Sequence, residues 1–491
     1  MSRLKNFWGL LAVIAALALF YSLLPLGTAF EFSSDEGFEV MKPFLCNQGH
    51  VLYKEIWDDQ PPVFTVLLAT AFKTFGTSIL IARLVTAGFG IILLATFYEL
   101  IRRRSGQWCA LLASFLLLAS PGVLLLSASA MQEVPAMATG LLAAWLLFQW
   151  KKQQNLVWLL SSGAVMAVAL QIKFTAILLV PAIFIEFALL TWPKPVSSSR
   201  FNLLFKNLLW WNAGFMTVVA LIGLTWGKGS LEESWKSHTG EQFVPGLDRV
   251  ADHPFNPELI RNHVECVLAA AVGLGLVWRR KRGREIAFPA ALLMTDALVH
   301  TLHRPWWNYY YLHLAVPLTW LAGWAIHEVI QNILRLHAKY RFNLSSPAAW
   351  KQWALCILVA LVITRSELRL EGIMKDLRQH PSADANPVVK KMKEYAGHTH
   401  LVYSEEGLYA FHAQLPVPPE LAVITLKRFW SGQITTEQII EACRRNKTEL
   451  IVLPKDKITE EWKVFLEADY VSAGSDDKSV LFAAKSMGGS Q

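Results

Sequence analysis

Residues 7–40 read FWGLLAVIAALALFYSLLPLGTAFEFSSDEGFEV, and this stretch decides the fold. The apolar run over residues 7–30 exceeds the roughly 20 residues that cross about 30 Å of hydrocarbon. It follows Arg3 and Lys5, as a secretory signal does, but it is longer than the apolar region of a signal peptide, and further apolar runs come after it. We therefore interpret it as an uncleaved membrane anchor.

The composition of the whole chain agrees with this interpretation. Of 491 residues, 54% are hydrophobic and only 17% are charged, and the mean hydropathy is +0.34. A soluble chain of this length would not normally expose such a surface to water. The scattered cysteines have no CxxC spacing, which argues against a disulfide scaffold and a structural zinc site. They are Cys46, Cys109, Cys266, Cys356 and Cys443.

The basic residues predict how the chain crosses the membrane. They form short clusters between apolar runs, for example at residues 102–104, 151–152 and 279–284. Cytoplasmic loops carry such clusters, so the net charge of +8 indicates topology rather than a nucleic-acid partner. With a cytoplasmic N-terminus, an odd number of spans places the C-terminus outside. The eleven predicted spans lie near residues 7–30, 80–101, 107–126, 134–150, 156–172, 174–192, 208–226, 262–278, 286–302, 309–329 and 350–366.

Two regions follow from these spans. Residues 1–366 are predicted to form an all-α polytopic membrane module of about eleven transmembrane helices, with long outer loops at residues 31–79 and 227–261. Residues 367–491 are predicted to form a small soluble α/β domain outside the membrane. Their apolar runs at residues 400–403, 450–453 and 480–484 are typical of strands, and Thr435 with Gln438 forms a helix capping-box pattern.

The first outer loop concentrates acidic residues, and Asp35 and Glu36 follow the first span directly. A carboxylate at the membrane surface stays ionised without the penalty of a charge in mid-membrane, and it can face a lipid-borne phosphate. An alternative is that these acids only cap the next helix, since Ser33 and Ser34 precede a plausible helix start. The residues alone leave both interpretations open.

An ordered series of short motifs connects this loop to a known superfamily. It runs from Ser34-Asp35-Glu36 through residues 49–62, which read GHVLYKEIWDDQPP, to Phe75-Gly76 and Ala82-Arg83-Leu84. The series resembles the first outer loop of the C-type membrane glycosyltransferases, which include the protein O-mannosyltransferases and the aminoarabinose transferases. Later elements continue the resemblance, and they are residues 120–122 and 131–133, Lys173, and residues 303–305 with the tyrosines 309–311.

The resemblance implies an inverting glycosyltransferase that uses a polyprenyl-phosphate-linked sugar outside the cytoplasm, in a multi-pass protein of a bacterial inner membrane. Asp35 would be the base that takes the proton of an acceptor hydroxyl, and Glu36 would orient Asp35 or the sugar. The acceptor would be a protein, a glycan or a lipid. The implied substrate-binding residues are Asp58, Gln60, Arg83, Glu133, Lys173, His303, Arg304 and Tyr310.

One departure and two rivals qualify this assignment. Some relatives carry lysine where this chain has Gln60, which argues against an aminoarabinose transferase. No cofactor is expected to be required, and a divalent cation held by Asp35 and Glu36 is possible but not favoured, because two adjacent acids are a weak metal signal. The rival functions are a transporter or flippase for lipid-linked sugars and a binder of such sugars that has no catalytic activity.

Overall fold

The computed structural model describes residues 2–191, 198–226, 243–280, 282–340 and 347–490, together with residues 232, 235, 236 and 239. Lys281, from one of the basic clusters used for the predicted orientation, lies outside these ranges, as does part of the predicted loop 227–261. Within the described ranges, three helices are both long and apolar enough to cross a membrane: Ile79–Ser105, Asn202–Trp226 and Gly283–Leu302. The count of eleven spans and the placement of the termini stay predictions.

Helices make up most of the chain as far as Arg378. They are α1 (Ser2–Ser22), α2 (Glu36–Asn47), α3 (Val63–Phe75), α4 (Ile79–Ser105), α5 (Gln107–Leu118), α6 (Val123–Ala128), α7 (Glu133–Gln153), α8 (Leu156–Ile172), α9 (Val180–Thr191), α10 (Ser198–Trp226), α11 (Glu258–Arg261), α12 (Val264–Arg280), α13 (Gly283–Leu302), α14 (Tyr311–Tyr340) and α15 (Pro347–Arg378).

Local sequence sets the ends of α4. The hydroxyl of Ser78 accepts a hydrogen bond from the backbone N–H of Ile81 at 3.3 Å, which satisfies one of the free donors of the first turn. The helix ends at Gly106, whose φ of 89° suits glycine because it has no Cβ. Three arginines occupy the last turn, where cations interact favourably with the helix dipole.

Two predicted spans are interrupted in the structure. The helix of the predicted span 7–30 ends at Ser22, and Pro25, which has no N–H to continue a helix, follows shortly after. The predicted span 107–126 divides into α5 and α6 around Pro121 and Gly122, and Gly122 has a φ of 74°. Hydropathy alone finds the apolar run but not the break within it, and the break at Gly122 becomes part of the site described below.

The C-terminal residues contain a four-stranded sheet of β1 (Val402–Ser404), β2 (Leu450–Pro454), β3 (Tyr470–Ser475) and β4 (Ser479–Ala484), in the order β1-β2-β4-β3. Strand β1 pairs parallel with β2, and β4 pairs antiparallel with both β2 and β3. Strands β1, β2 and β4 overlap the three predicted strands, and the predicted Thr435–Gln438 capping box is confirmed. The helices of this part are α16 (Pro387–Tyr395), α17 (Gly407–His412), α18 (Leu426–Trp430), α19 (Thr436–Arg445) and α20 (Glu460–Asp469).

The C-terminal part (residues 379–490) packs directly on the acidic segment at residues 31–79, here called the outer segment. Helix α17 lies against α2 at Gly37, where an added Cβ would lie 2.8 Å from the backbone nitrogen of Leu408. Only glycine permits this approach of two backbones. The rings of Phe30 and Tyr409 lie 4.7 Å apart beside it. The segment that carries Asp35 is thus held between the helical bundle and the C-terminal part.

Candidate active site

A cavity of about 670 Å³, here called the central cavity, lies where the outer segment, the bundle and the C-terminal part meet. Its lining comes from residues 33–60, 121–133, 307–312 and 405–457, together with Lys173 and Leu259. Its volume falls within the roughly 300–1,000 Å³ typical of small-molecule sites. Of the residues predicted from the sequence, it brings together Asp35, Asp58, Gln60, Glu133 and Lys173.

Asp35 is the residue of the central cavity best suited to take a proton. It stands at the N-cap position of α2, but its side chain makes no capping hydrogen bond. In the described part of the chain its carboxylate forms no hydrogen bond or ion pair, and it lines the cavity in a half-buried position. This geometry weakens the interpretation of Asp35 as a capping acid.

The surroundings of Asp35 bring its pKa close to neutral pH. Burial, the largest cause, and the nearby charge of Glu133 together raise the pKa of this carboxyl to about 6, while Lys173 opposes the shift. A carboxylate with such a pKa is deprotonated at pH 7 and is a stronger base than an ordinary aspartate. General-base catalysis favours this range.

Three carboxylates of the central cavity, those of Glu39, Asp58 and Glu133, differ from Asp35 because each pairs with a lysine. Lys173 Nζ lies 2.6 Å from Glu133, and it also lies 4.9 Å from the centre of the Tyr309 ring. Lys42 is shared between Asp58 at 2.9 Å and Glu39 at 3.2 Å. These ammonium groups line a partly closed cavity, where they could also pair with a phosphate.

A further lysine comes from the C-terminal part. Lys427 Nζ lies 3.0 Å from Asp59, and the side-chain amide of Gln60 donates to the same carboxylate at 3.0 Å. The backbone N–H of Gln60 donates to Asp58 at 3.1 Å. Hydrogen bonds within the Asp58-Asp59-Gln60 motif therefore fix its conformation, and Lys427 from the C-terminal part contacts it.

Glu36 and Arg83 are not part of the cavity wall. Both side chains are fully buried, and they form a two-bond ion pair with N–O distances of 2.9 Å. Glu36 also accepts from the backbone nitrogens of Phe32 and Ala130, each at 2.7 Å. Arg83 donates to the carbonyl of Ala29 at 2.9 Å. With these bonds made, neither side chain is placed for the substrate contact that the sequence suggested.

The late outer element also differs from the prediction. His303 is half-buried and Arg304 is exposed, and neither lines the central cavity. Tyr310 is buried behind the wall, where its ring stacks on that of His300 at 5.2 Å. The wall itself is formed by the neighbouring residues Trp307, Asn308, Tyr309 and Leu312.

Sequence reasoning missed several lining residues. Lys42 had a detectable signal, because it stands three positions after Glu39 in the same acidic loop and a helix brings such positions together. Lys427 had none, since it lies 368 positions from its partner Asp59. The cavity also has an aliphatic wall to which Leu125, Leu126 and Ile424 contribute.

One segment of the sequence matches a known protein family. Residues 59–220 match the family model described as dolichyl-phosphate-mannose-protein mannosyltransferase. No curated protein matches the chain. The matched segment includes Asp59, Gln60, Glu133 and Lys173, so it contains part of the lining of the central cavity.

Solved structures match over nearly the whole chain. ArnT from Cupriavidus metallidurans in the apo state aligns with a TM-score of 0.65 and 14% identity, covering 99% of this chain and 100% of that one. The same protein bound to undecaprenyl phosphate aligns with a TM-score of 0.64 and 13% identity, over 98% and 99% of the two chains. The oligosaccharyltransferase AglB from Archaeoglobus fulgidus, in complex with an inhibitory peptide and a dolichol-phosphate, aligns with a TM-score of 0.56 and 12% identity, over 94% and 71%. The chain therefore has the fold of the C-type membrane glycosyltransferases, and the resemblance seen in its outer-loop motifs is confirmed.

Proposed function

We propose that the protein is a membrane glycosyltransferase that moves a sugar from a polyprenyl-phosphate carrier to an acceptor hydroxyl on the extracytoplasmic face. The observation that carries the proposal is the carboxylate of Asp35, which stands unpaired among the described residues in a cavity lined by lysines and aliphatic side chains. Transfer from a lipid-linked sugar requires a base for the acceptor hydroxyl, cations that bind the phosphate and an apolar surface that binds the lipid chain. The undecaprenyl phosphate of the similar ArnT structure supports a carrier of this type.

In the proposed reaction, Asp35 takes the proton of the acceptor hydroxyl. The oxygen attacks the anomeric carbon from the side opposite the phosphate, and the bond between that carbon and the phosphate oxygen breaks, so the configuration inverts. The carrier phosphate leaves with the electron pair. The lysines that line the cavity, Lys42, Lys173, Lys427 and Lys457, stabilise its growing negative charge.

This assignment revises some of the roles suggested by the motifs. The resemblance implied that Lys173, Arg304 and Arg83 offset the charge of the leaving phosphate, and of these three only Lys173 lines the cavity. Of its two implied roles, Glu36 keeps that of orienting Asp35, because its bond to the backbone of Phe32 fixes the turn that leads to Asp35. Asp58 and Glu133 keep the implied contacts with sugar hydroxyls or acceptor, and Gln60 keeps its contact with a sugar or phosphate oxygen.

The donor set does not call for a metal ion in this reaction. Glu133, Asp58 and Asp59 already pair with lysines at 2.6 to 3.0 Å, so their charge is balanced. The described residues contain one compact group of metal-ligand type, formed by His263, Glu265 and Cys266. Two of its three side chains already have other partners, since His263 contacts the hydroxyl of Tyr311 at 2.7 Å and Glu265 pairs with arginine side chains.

One observation favours the rival function of transport. Asp296 lies within the apolar helix α13, is fully buried, and neither of its carboxylate oxygens has a hydrogen-bond partner in the described residues. Ionisable residues within membrane helices often mark a transport path. Asp296 does not line the central cavity, however, and so it would not meet a donor bound beside Asp35.

The test uses the purified full-length protein in lipid nanodiscs. A panel of radiolabelled polyprenyl-phosphate sugars would be incubated with it together with peptide, glycan and lipid acceptors, and transfer of label from the donor to an acceptor would be measured. We expect at least one donor to be consumed by the parent protein and not by Asp35→Asn. If no donor is consumed, but a labelled donor changes leaflet in proteoliposomes, transport replaces transfer as the function.

A further inference from the structure

A second cavity of about 490 Å³, here called the side cavity, adjoins the central cavity. Residues 252–257 and 306–308 line it. Trp307 and Asn308 line both cavities, so the two cavities share part of their lining. A molecule in the side cavity would therefore lie next to whatever the central cavity holds.

The wall of the side cavity has a distinct chemistry. It combines the aromatic faces of Phe255, Trp306 and Trp307 with polar groups from neighbouring residues. Its lining, as far as the structure describes it, includes no leucine, isoleucine, valine or methionine, and no lysine or arginine. The central cavity has both kinds. The side cavity is thus poorly suited to a polyprenyl chain or a phosphate.

A sugar ring fits this wall. The C–H groups on one face of a pyranose pack on aromatic rings, and its hydroxyls hydrogen-bond to polar groups around the edge. Carboxylate, imidazole and amide groups come from Asp252, His253 and Asn256. The indole N–H of Trp306 is buried and has no acceptor among the described residues, so it remains available as a donor.

A row of rings connects the two cavities. Lys173, in the central cavity, lies 4.9 Å from the centre of the Tyr309 ring. The rings of Tyr309 and Trp307 are 6.4 Å apart, and those of Trp307 and His253 are 4.8 Å apart. The row therefore leads from the proposed phosphate site into the side cavity.

We propose that the side cavity binds a sugar ring of the acceptor, so that the acceptor of this transferase is a carbohydrate. The inference rests on the proposed function and specifies its acceptor. Rings held on Trp307 and Phe255 would direct a neighbouring hydroxyl of the glycan toward the central cavity. A protein acceptor would not need this combination of aromatic faces and edge polar groups.

The test measures binding in the absence of any donor. Saturation-transfer NMR would be recorded on the full-length protein with methyl glycosides of glucose, mannose, galactose and N-acetylglucosamine. We expect at least one to bind, and Phe255→Ala to weaken its binding about tenfold because an aromatic contact is lost. The matched control is Phe75→Ala, which removes a ring that is 72% exposed and lines neither cavity. Asn256→Asp is a second variant. Its Oδ1 can still accept the hydrogen bond that the backbone N–H of Glu258 donates at 2.9 Å, but the side chain no longer has amide donors.

The outcomes separate this inference from the proposed function. If no glycoside binds, or if Phe255→Ala binds as the parent does, the carbohydrate site is overturned even when donor is consumed. Equal losses in Phe255→Ala and Phe75→Ala would also overturn it, because the effect would then be a general loss of folding. If glycosides bind as expected but no donor is consumed, the sugar site stands and the transferase proposal fails.

Discussion

Glu36→Gln tests whether the buried ion pair with Arg83 is structural. Glu36 accepts four hydrogen bonds of 2.7 to 2.9 Å, two from Arg83 and two from the backbone, and both side chains are fully buried. Glutamine keeps the shape, but it leaves the guanidinium without its counter-charge and directs an amide donor at other donors. Removal of one partner of a buried ion pair costs about 3–5 kcal/mol of folding free energy. We expect a loss of this size.

The assay is thermal unfolding of the purified protein in detergent, followed by intrinsic tryptophan fluorescence. Glu99→Gln is the matched control, because Glu99 pairs with Arg102 at 2.8 Å while their side chains are 17% and 21% exposed. Such a partly exposed pair contributes about 1 kcal/mol or less, so its loss should change the unfolding midpoint little. The double variant Glu36→Gln, Arg83→Gln should lose less stability than the sum of the two single variants, since it leaves no charge unpaired. A Glu36→Gln protein as stable as the parent but inactive would refute the structural role and return Glu36 to the chemistry.

Three further predictions concern the central cavity. Because Asp35 must be deprotonated to act, transfer should rise with pH through a midpoint near its pKa of about 6 and level off above it. Glu133→Gln should move that midpoint to lower pH, because it removes a neighbouring negative charge. A flat profile from pH 5 to 8 would count against Asp35 as the base. Lys173→Ala should weaken donor binding about 10- to 100-fold in a direct binding assay, which is the range for loss of a charge-assisted hydrogen bond. Lys151 is an exposed lysine near the end of α7, so the control variant Lys151→Ala should bind donor as the parent does. Transfer should continue after dialysis against EDTA, because the carboxylates around Asp35 already pair with lysines; loss of transfer that returns with a divalent cation would contradict this.

The outer-loop motifs predicted much of the site because its acids are concentrated in a short stretch of sequence. Asp35, Asp58 and Gln60 lie within one loop, and a segment of this kind must fold close to itself. Glu133 and Lys173 came from the resemblance to the C-type glycosyltransferases, which matched them at the ends of two successive apolar runs. An antiparallel helix pair brings such ends to the same side of the bundle.

The remaining features depend on contacts that sequence spacing does not record. The motif series contained both Glu36 and Arg83, but nothing in it indicated that they pair with each other 47 positions apart, away from the cavity. Lys427 enters the cavity from a helix of five residues in the C-terminal part. The break at Gly122 turns one predicted span into two helices and brings the loop before Glu133 into the wall. These are consequences of tertiary packing.

Single-turnover transfer by Asp35→Asn, measured beside donor binding, tests the central claim most directly. The amide has nearly the shape of the carboxylate but cannot accept a proton, and a positioned base contributes about a hundredfold to ten-thousandfold to the rate. We expect transfer from a labelled polyprenyl-phosphate sugar to fall by that factor, while the affinity for the donor stays close to that of the parent. Transfer at the parent rate would contradict it, and Asp35 would then not be the base.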